Sequence, residues 1–283
     1  MIVDVKKANP QYKTKELCLL FGLSVSTHYY HLTQETSESD QLIINEIKKI
    51  AIEHRHAYGK RRMKEELNNK DISIGVYKTA SLMKKANVVA IRPKKRHRYD
   101  QGETHAIAEN QLKRQFNPST LNTHWVGDIT YIKTHVGWSY LACVLDLGSR
   151  EIVGWALSQS PDAALAKKAL HNAVEKQRPA SDRLQFHSDQ GVQYSAHKFV
   201  NYLMDLGITQ SMSRRGNCWD NAVMERFFRS LKTERLNYLR FVNHSSVVTT
   251  VESYIRYYNY KRLHSSLDYE TPHERARKMK KAA

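Results

Sequence analysis

From residue 120 onward the apolar residues come in short runs rich in Val, Ile, Trp and Tyr, and their order sets out a sheet with helices around it. Strands are predicted over 123–133, 138–146 and 150–158, with turns at Gly137 and at Gly148-Ser149. The pattern then becomes helix over 161–177, strand over 183–187, helix over 195–206 and strand over 208–212, followed by helices to the end. Three meander strands followed by alternating helices and strands give a mixed sheet covered by helices. Upstream, helical periodicity covers Asp40 to His54, Lys60 to Asn68 and Val76 to Ala86. Residues 11–33 read as two short helices, Gly22 releasing the first and Ser24 capping the second. Two readings stand open there. One is a helix-turn-helix presenting Ser26, Thr27 and His28 or Tyr30 to a groove; the other is a helical hairpin packed on the rest of the chain. No internal repeat is evident.

Charge adds a partner to this outline. The 283 residues carry a net charge of +17, which points to a polyanion, nucleic acid first. Residues 51–100 hold fourteen basic against five acidic residues, and 201–283 fifteen against eight. Arg92-Pro-Lys94-Lys95-Arg96-His-Arg98 opens a polar stretch that reads as a linker able to track a DNA backbone. No run approaches the roughly 20 apolar residues of a spanning helix, and the start of the chain has no secretory pattern, so a cytoplasmic protein is expected. Cys18, Cys143 and Cys218 are scattered, which suits buried small hydrophobes rather than a disulfide framework or a zinc module.

Three carboxylates stand in settings that suit a catalytic metal site. Asp128 interrupts an apolar strand, Asp189 closes a short strand that runs into Gln190-Gly191, and Glu225 lies on an amphipathic helix, with 35 residues between Asp189 and Glu225. Hard oxygen donors hold Mg²⁺ or Mn²⁺, and two such ions serve phosphodiester chemistry. Gathered without metal, the same carboxylates push one another's pKa upward. Arg229 and Lys232 follow Glu225 by four and seven residues and share its helix face, where they can meet DNA phosphate. Arg214 and Arg215 precede that helix and are candidates to clamp DNA. Asn217 is a candidate cap, with Asp220 in the first turn. Asp146 is a rival carboxylate, and His187 and Gln190 are candidates to orient Asp189 or to meet the attacked strand.

Trp125–Ile132, His187–Tyr194, Ser213–Glu225, Phe227–Glu234 and Tyr258–Leu267 with Thr271-Pro272 together resemble the integrase-like transposases of bacterial insertion sequences. The resemblance is specifically to the second-frame (OrfB) protein of the IS-three family, which is related to retroviral integrases. It implies a ribonuclease-H-like α/β fold, a mixed five-stranded sheet with flanking helices, preceded by small all-α helix-turn-helix or winged-helix-like DNA-binding segments. It implies Asp128, Asp189 and Glu225 as the catalytic triad with two Mg²⁺ or Mn²⁺ ions, and Lys232 at the family's basic position. Tyr58-Gly-Lys60-Arg61-Arg62 resembles a motif that implies contact with the element's terminal repeats; a solubilising basic face is the alternative.

The domains expected are 1–38 (helix-turn-helix-like), 39–92 (basic helical), 93–119 (linker), 120–240 (catalytic core) and 241–283 (helical tail). The expected partners are the element ends, target DNA, further copies of the chain, and the upstream-frame protein (OrfA) or a frameshift fusion with it. Two other readings compete. A non-catalytic DNA-binding regulator would bind without cleaving. A nuclease acting on RNA in hybrids would leave the amino-terminal modules without a task.

Overall fold

The computed structural model describes residues 2–32, 37–92, 108–180, 183–214 and 218–282. Lys94, Lys95, Arg96, Arg215 and Asn217, and the roles expected of them, lie outside the described residues.

From residue 124 onward the chain builds one sheet of five strands in the order β3-β2-β1-β4-β5. Strands β1 (His124–Thr134), β2 (Gly137–Asp146) and β3 (Ile152–Ser158) form the antiparallel meander. β4 (Gln185–Ser188) lies parallel to β1, and β5 (Thr209–Met212) parallel to β4. On one face α7 (Ala163–Gln177), the short α8 (Val192–Ser195) and α9 (His197–Asp205) bury Trp125, Ala142, Val144 and Phe186. On the other, α10 (Ala222–Glu234) and α11 (His244–Tyr260) bury Val126, Ile132, Leu141 and Cys143. Both faces are covered, which is why the strands read as near-continuous apolar runs.

Two glycines permit close approaches. A Cβ at Gly127 would lie 2.4 Å from Cζ of the buried Phe186, so the residue before Asp128 must lack a side chain. At Gly154, α7 crosses β3 so closely that a Cβ would fall 2.4 Å from the Ala169 carbonyl oxygen. That obstacle is backbone and cannot rotate away. Gly154→Ala is therefore expected to cost about 1–3 kcal/mol, read as a lower denaturation midpoint; an unchanged midpoint would refute the close packing of α7.

The amino-terminal half is helical. α1 (Ile2–Ala8), which the periodicity did not assign, packs with α2 (Thr14–Leu20) around Ile2, Leu17 and Cys18. Gly22 takes the left-handed conformation after α2, and Ser24 Oγ accepts the Thr27 N–H at the start of α3 (Val25–Leu32). His28, one of the expected groove readers, is buried. α4 (Glu38–Glu53), capped by Ser37, joins α5 (Lys60–Asn68) and α6 (Val76–Lys85) around Ile47, Ile50, Met63 and Leu67. Leu263, from beyond α11, is buried in that same cluster, and Tyr269 packs against it. The segment after α11 thus fastens the helical half to the sheet before α12 (Pro272–Ala282).

Candidate active site

Strand register brings the first two carboxylates together. Val126 pairs with His187 across β1 and β4, so Asp128 and Asp189, each two residues further on, come level and face the same side of the sheet. β4 ends at Ser188, where its chain leaves the sheet. Asp189 is held there by the Gly191 N–H, donated to Oδ1 at 3.0 Å. Asp128 Oδ1 accepts the Ile129 N–H at 2.7 Å. α10 packs on this same face of β1, which brings Glu225 to the pair. Burial comes first in holding the Asp128 carboxyl well above its usual range, followed by the charges of Asp189 and Glu225, with Lys232 opposing. Burial likewise raises Asp189, opposed by the Gly191 N–H.

These are hard oxygen donors whose repulsion a divalent cation would relieve, so the donor set fits a magnesium-type ion. Among the described residues, no three His, Cys, Asp or Glu side chains already stand close enough together to hold an ion. Glu225 is exposed on α10, one turn before the exposed Arg229 and near the half-buried Lys232. Arg226, also exposed on α10, escaped the sequence reading; its i, i+3 spacing with Arg229 was the available signal.

Several expected site residues turn out to build the scaffold. His187 is buried between β5 and the chain before β1. Ser211 Oγ accepts the Gln111 and Leu112 N–H groups, which leaves its hydroxyl proton for His187 Nδ1 at 2.8 Å. Ser213 Oγ donates to the Ser188 carbonyl and so accepts from His187 Nε2 at 3.1 Å. The chain is satisfied only by a neutral imidazole, and burial lowers its pKa to about 4. Gln190 donates to the Ser213 carbonyl and is also buried. His187 and Gln190 therefore fix the loop that carries Asp189.

Asp146 is the turn residue between β2 and β3, accepting from Asn122 N–H, Ser149 N–H and Ser149 Oγ. Asp220 sits in a 3₁₀ turn (Cys218–Asn221) before α10, not in the helix's first turn, and Asn221 occupies the cap position. It accepts from Asn110 Nδ2, Arg114 Nε, and Arg214 N, Nε and Nη2, all at 2.8–3.2 Å. Arg214 is thereby paired within the protein. Arg62 is a second departure: it lies over the Tyr58 ring, 3.9 Å from Glu234, while Lys60 and Arg61 remain exposed.

Burial also keeps two histidines neutral where the helical half meets α11. His54 stacks on Tyr58 at 3.8 Å, and His264 lies among arginines. Their pKa values fall from 6.5 to about 4 and about 3, by burial first in both. Below the usual imidazole pKa the unfolded chain takes up protons that the folded protein refuses. Each histidine therefore lowers stability as pH falls, by up to about 1.4 kcal/mol per pH unit, until its folded pKa is reached. Comparing native protein with His264→Gln by thermal unfolding between about pH 7 and 4 isolates this effect from the carboxylates, of which the lowered Asp220 and Glu234 act with the same sign and the raised Asp128 and Asp189 with the opposite one. The native protein should lose ground to the variant on acidification; parallel curves would contradict a neutral His264.

A mixed sheet of this order, with Asp128 midway along β1, Asp189 just past the end of the neighbouring β4 and Glu225 on the helix packed against β1, is the core of a DDE polynucleotidyl transferase. The integrase core domain family matches residues 118–218 and again 206–272, and an HTH-like domain matches 38–96. The 31 kDa protein of insertion element IS600 from Shigella sonnei is 37% identical over 90% of this chain and 96% of its own length. The transposase InsF for insertion sequence IS3A from Escherichia coli is 30% identical over 93% of both. The catalytic core domain of HTLV-2 integrase, solved with magnesium, covers 55% of this chain and 96% of its own at 15% identity and a TM-score of 0.44. The chain belongs to the insertion-sequence transposases of the IS-three family, as second-frame (OrfB) proteins. Among the described residues no helix is long and apolar enough to cross a membrane.

Proposed function

We propose that this transposase cuts a DNA phosphodiester at the element ends and joins the freed 3′-hydroxyl to target DNA, with Asp128, Asp189 and Glu225 holding two Mg²⁺ or Mn²⁺ ions. The observation that carries this is the level placement of Asp128 and Asp189 on the face of the sheet that α10 covers. When bound, such ions supply Lewis acidity to the attacking and leaving oxygens. The chain's own residues do the positioning. The neutral His187 relay and the Gly191 N–H hold Asp189 at its strand end, and Gly127 lets Phe186 pack beneath Asp128. Arg229 and Lys232 on the Glu225 face of α10, and Lys60 and Arg61 on α5, offer cations to DNA phosphates; the exposed edge of the Arg214 guanidinium serves the same end.

Water attack leaves the 3′-hydroxyl at the element end, and that hydroxyl then attacks a second phosphodiester, exchanging one phosphodiester bond for another without net hydrolysis. The work takes place in a multimer on paired ends, together with the upstream-frame protein or as a fusion with it. The test is strand transfer on DNA carrying the element's ends, comparing the native chain with Glu225→Gln in Mg²⁺ or Mn²⁺. Metal-dependent joined products absent from the variant support the reading. Salt-sensitive binding without cleavage by either protein turns it toward a non-catalytic regulator.

A further inference from the structure

Beside the catalytic face of α10 lies a second feature that the triad does not use. A cleft of about 630 Å³ opens between the helical half, the chain at Phe116-Asn117, α10 and the loop after α11. Along α10 its wall includes Arg226, Arg229, Ser230 and Thr233, an i, i+3, i+4, i+7 stripe, together with Ala222, Val223 and Glu234, whose carboxylate is paired to Arg262. Arg229 is also four residues past Glu225, so it stands between the cleft and the catalytic stripe.

At the cleft, Arg150 is buried, only 6% exposed. Its Nη2 donates to Asn117 Oδ1 at 2.6 Å, and its Nη1 is buried with no hydrogen-bond partner. Among the described residues no carboxylate pairs with Arg150, Arg226 or Arg229, whereas Arg262 is fully engaged by Glu234. Asp146, near Arg150, already accepts three donors in the β2–β3 turn. Arg150 also occupies the left-handed backbone region, φ 63°, which disfavours a side-chain-bearing residue. A strained backbone, a buried charge that no carboxylate contacts, with Asp146 acting on it only from a distance, and an unsatisfied donor are three costs at one residue, and together they mark a place where an anion is taken up. The surrounding field agrees: after burial, the charges of Arg262, Arg150, Arg62 and Arg226 all push His264 the same way, down to about 3.

We propose that this cleft seats a backbone phosphate of the bound DNA away from the scissile bond, with the Arg150 guanidinium as its buried anchor and Arg226 and Arg229 on its rim. The proposal rests on DNA being the substrate, and it deepens that reading by naming where the strand leaves the catalytic face. Its site joins the helical half to the core, so occupation by DNA bridges the two halves of the protein.

The test is binding of the full chain to a fluorescent double-stranded oligonucleotide across a salt series, without divalent metal, alongside thermal unfolding of the free protein. Arg150→Met is expected to weaken binding about tenfold or more and to make the log–log salt slope shallower by about 0.9. The free variant should unfold at the native temperature or above it, because a buried unpaired charge has gone. Arg226 is exposed, so Arg226→Gln tests the rim with no burden on folding and should shift binding in the same direction. Lys198→Gln, an exposed lysine on α9 outside the cleft, is the comparison and should change little.

Native affinity and slope in both arginine variants overturn the proposal, as does an equal loss in Lys198→Gln. A fall in unfolding temperature with unchanged binding makes Arg150 a structural residue and also overturns it. Inorganic phosphate separates the two sources of the anion. If phosphate alone raises the native unfolding temperature as much as the oligonucleotide does, and Arg150→Met abolishes both rises, the cleft is a free-anion site and the DNA seat falls. Cleavage is scored separately. Native cleavage with Arg150-independent binding sinks only the cleft, and Arg150-dependent binding by a native chain that never cleaves sinks only the catalytic reading.

Discussion

Asp189→Asn is expected to abolish cleavage and joining while leaving DNA binding intact. The asparagine side-chain oxygen can still accept the Gly191 N–H that holds Asp189 in place, so the loop after β4 keeps its geometry. What disappears is the charge, and a neutral carboxamide is a poor ligand for a hard divalent ion. Metal assistance is worth several kcal/mol in such chemistry, so the loss should reach about 10³-fold or more. The structure adds a second readout. Burial, Asp189 and then Glu225 together raise the Asp128 carboxyl, so removing one charge relieves repulsion in the metal-free protein. The variant should therefore unfold at the native temperature or slightly above it in chelator, and should lose any stabilisation by added Mg²⁺ or Mn²⁺. Normal joining by this variant would remove Asp189 from the catalytic set. A large fall in its metal-free stability would show that Asp189 is a structural carboxylate.

The second large effect is expected at the junction of the two halves. Arg262, 4% exposed, donates through Nε and Nη2 to both oxygens of Glu234 at 2.7–3.1 Å. Tyr254 Oη donates to the same carboxylate at 2.8 Å, and Arg62 approaches it from the helical half at 3.9 Å. Burial works against both charges, and each partner overrides it: Glu234 is lowered chiefly by Arg262, while Arg262 is raised chiefly by Glu234. Glu234→Leu strands a buried guanidinium and should cost about 3–5 kcal/mol, roughly a 10 °C fall in unfolding temperature. The double variant Glu234→Leu/Arg262→Met should recover a good part of that loss, because no unpaired charge remains. Additive losses in the double variant would mean that the two side chains do not act as a pair. Since Tyr58 Oη donates to the Lys261 carbonyl and accepts the Leu263 N–H, the helical half should loosen from the core in the single variant. Faster proteolysis between the halves would record that loosening.

Tyr58-Gly-Lys-Arg-Arg62 and the segment from Tyr258 to Leu267 were legible as motifs, yet their association was not. The first reads locally as cations at a helix start, for which the family resemblance implies DNA contact by Arg62, and the second as aromatic and basic residues packed on the core. The partner of Arg62, Glu234, lies 172 positions away in sequence. No periodicity within a window of a dozen residues registers a pair at that separation. Arg150 was invisible for a related reason: a cation after a Gly-Ser turn looks like exposed turn chemistry until Asn117, Tyr258 and α10 close over it. Asp146 reads locally as a rival carboxylate and Asp220 as an acid in the first turn of the Glu225 helix. Only their donors, brought from other segments, show that they tie down a turn and a loop.

The sequence by itself determined the strands, the order of sheet and helices, and the three acidic residues in settings from which a metal site can be built. Strand and helix periodicity and the loss of apolar pattern at Asp128 are local properties, written in neighbouring residues. Tertiary structure decided which charges face solvent and which are consumed inside, because burial and pairing depend on partners that the chain brings together only on folding. It set Asp128 beside Asp189 through the parallel register of β1 and β4, and it turned Arg62 and Arg262 into a clasp. It also left Arg150 buried without a counter-charge, since desolvation is imposed by packing from distant segments and by nothing in the residue itself.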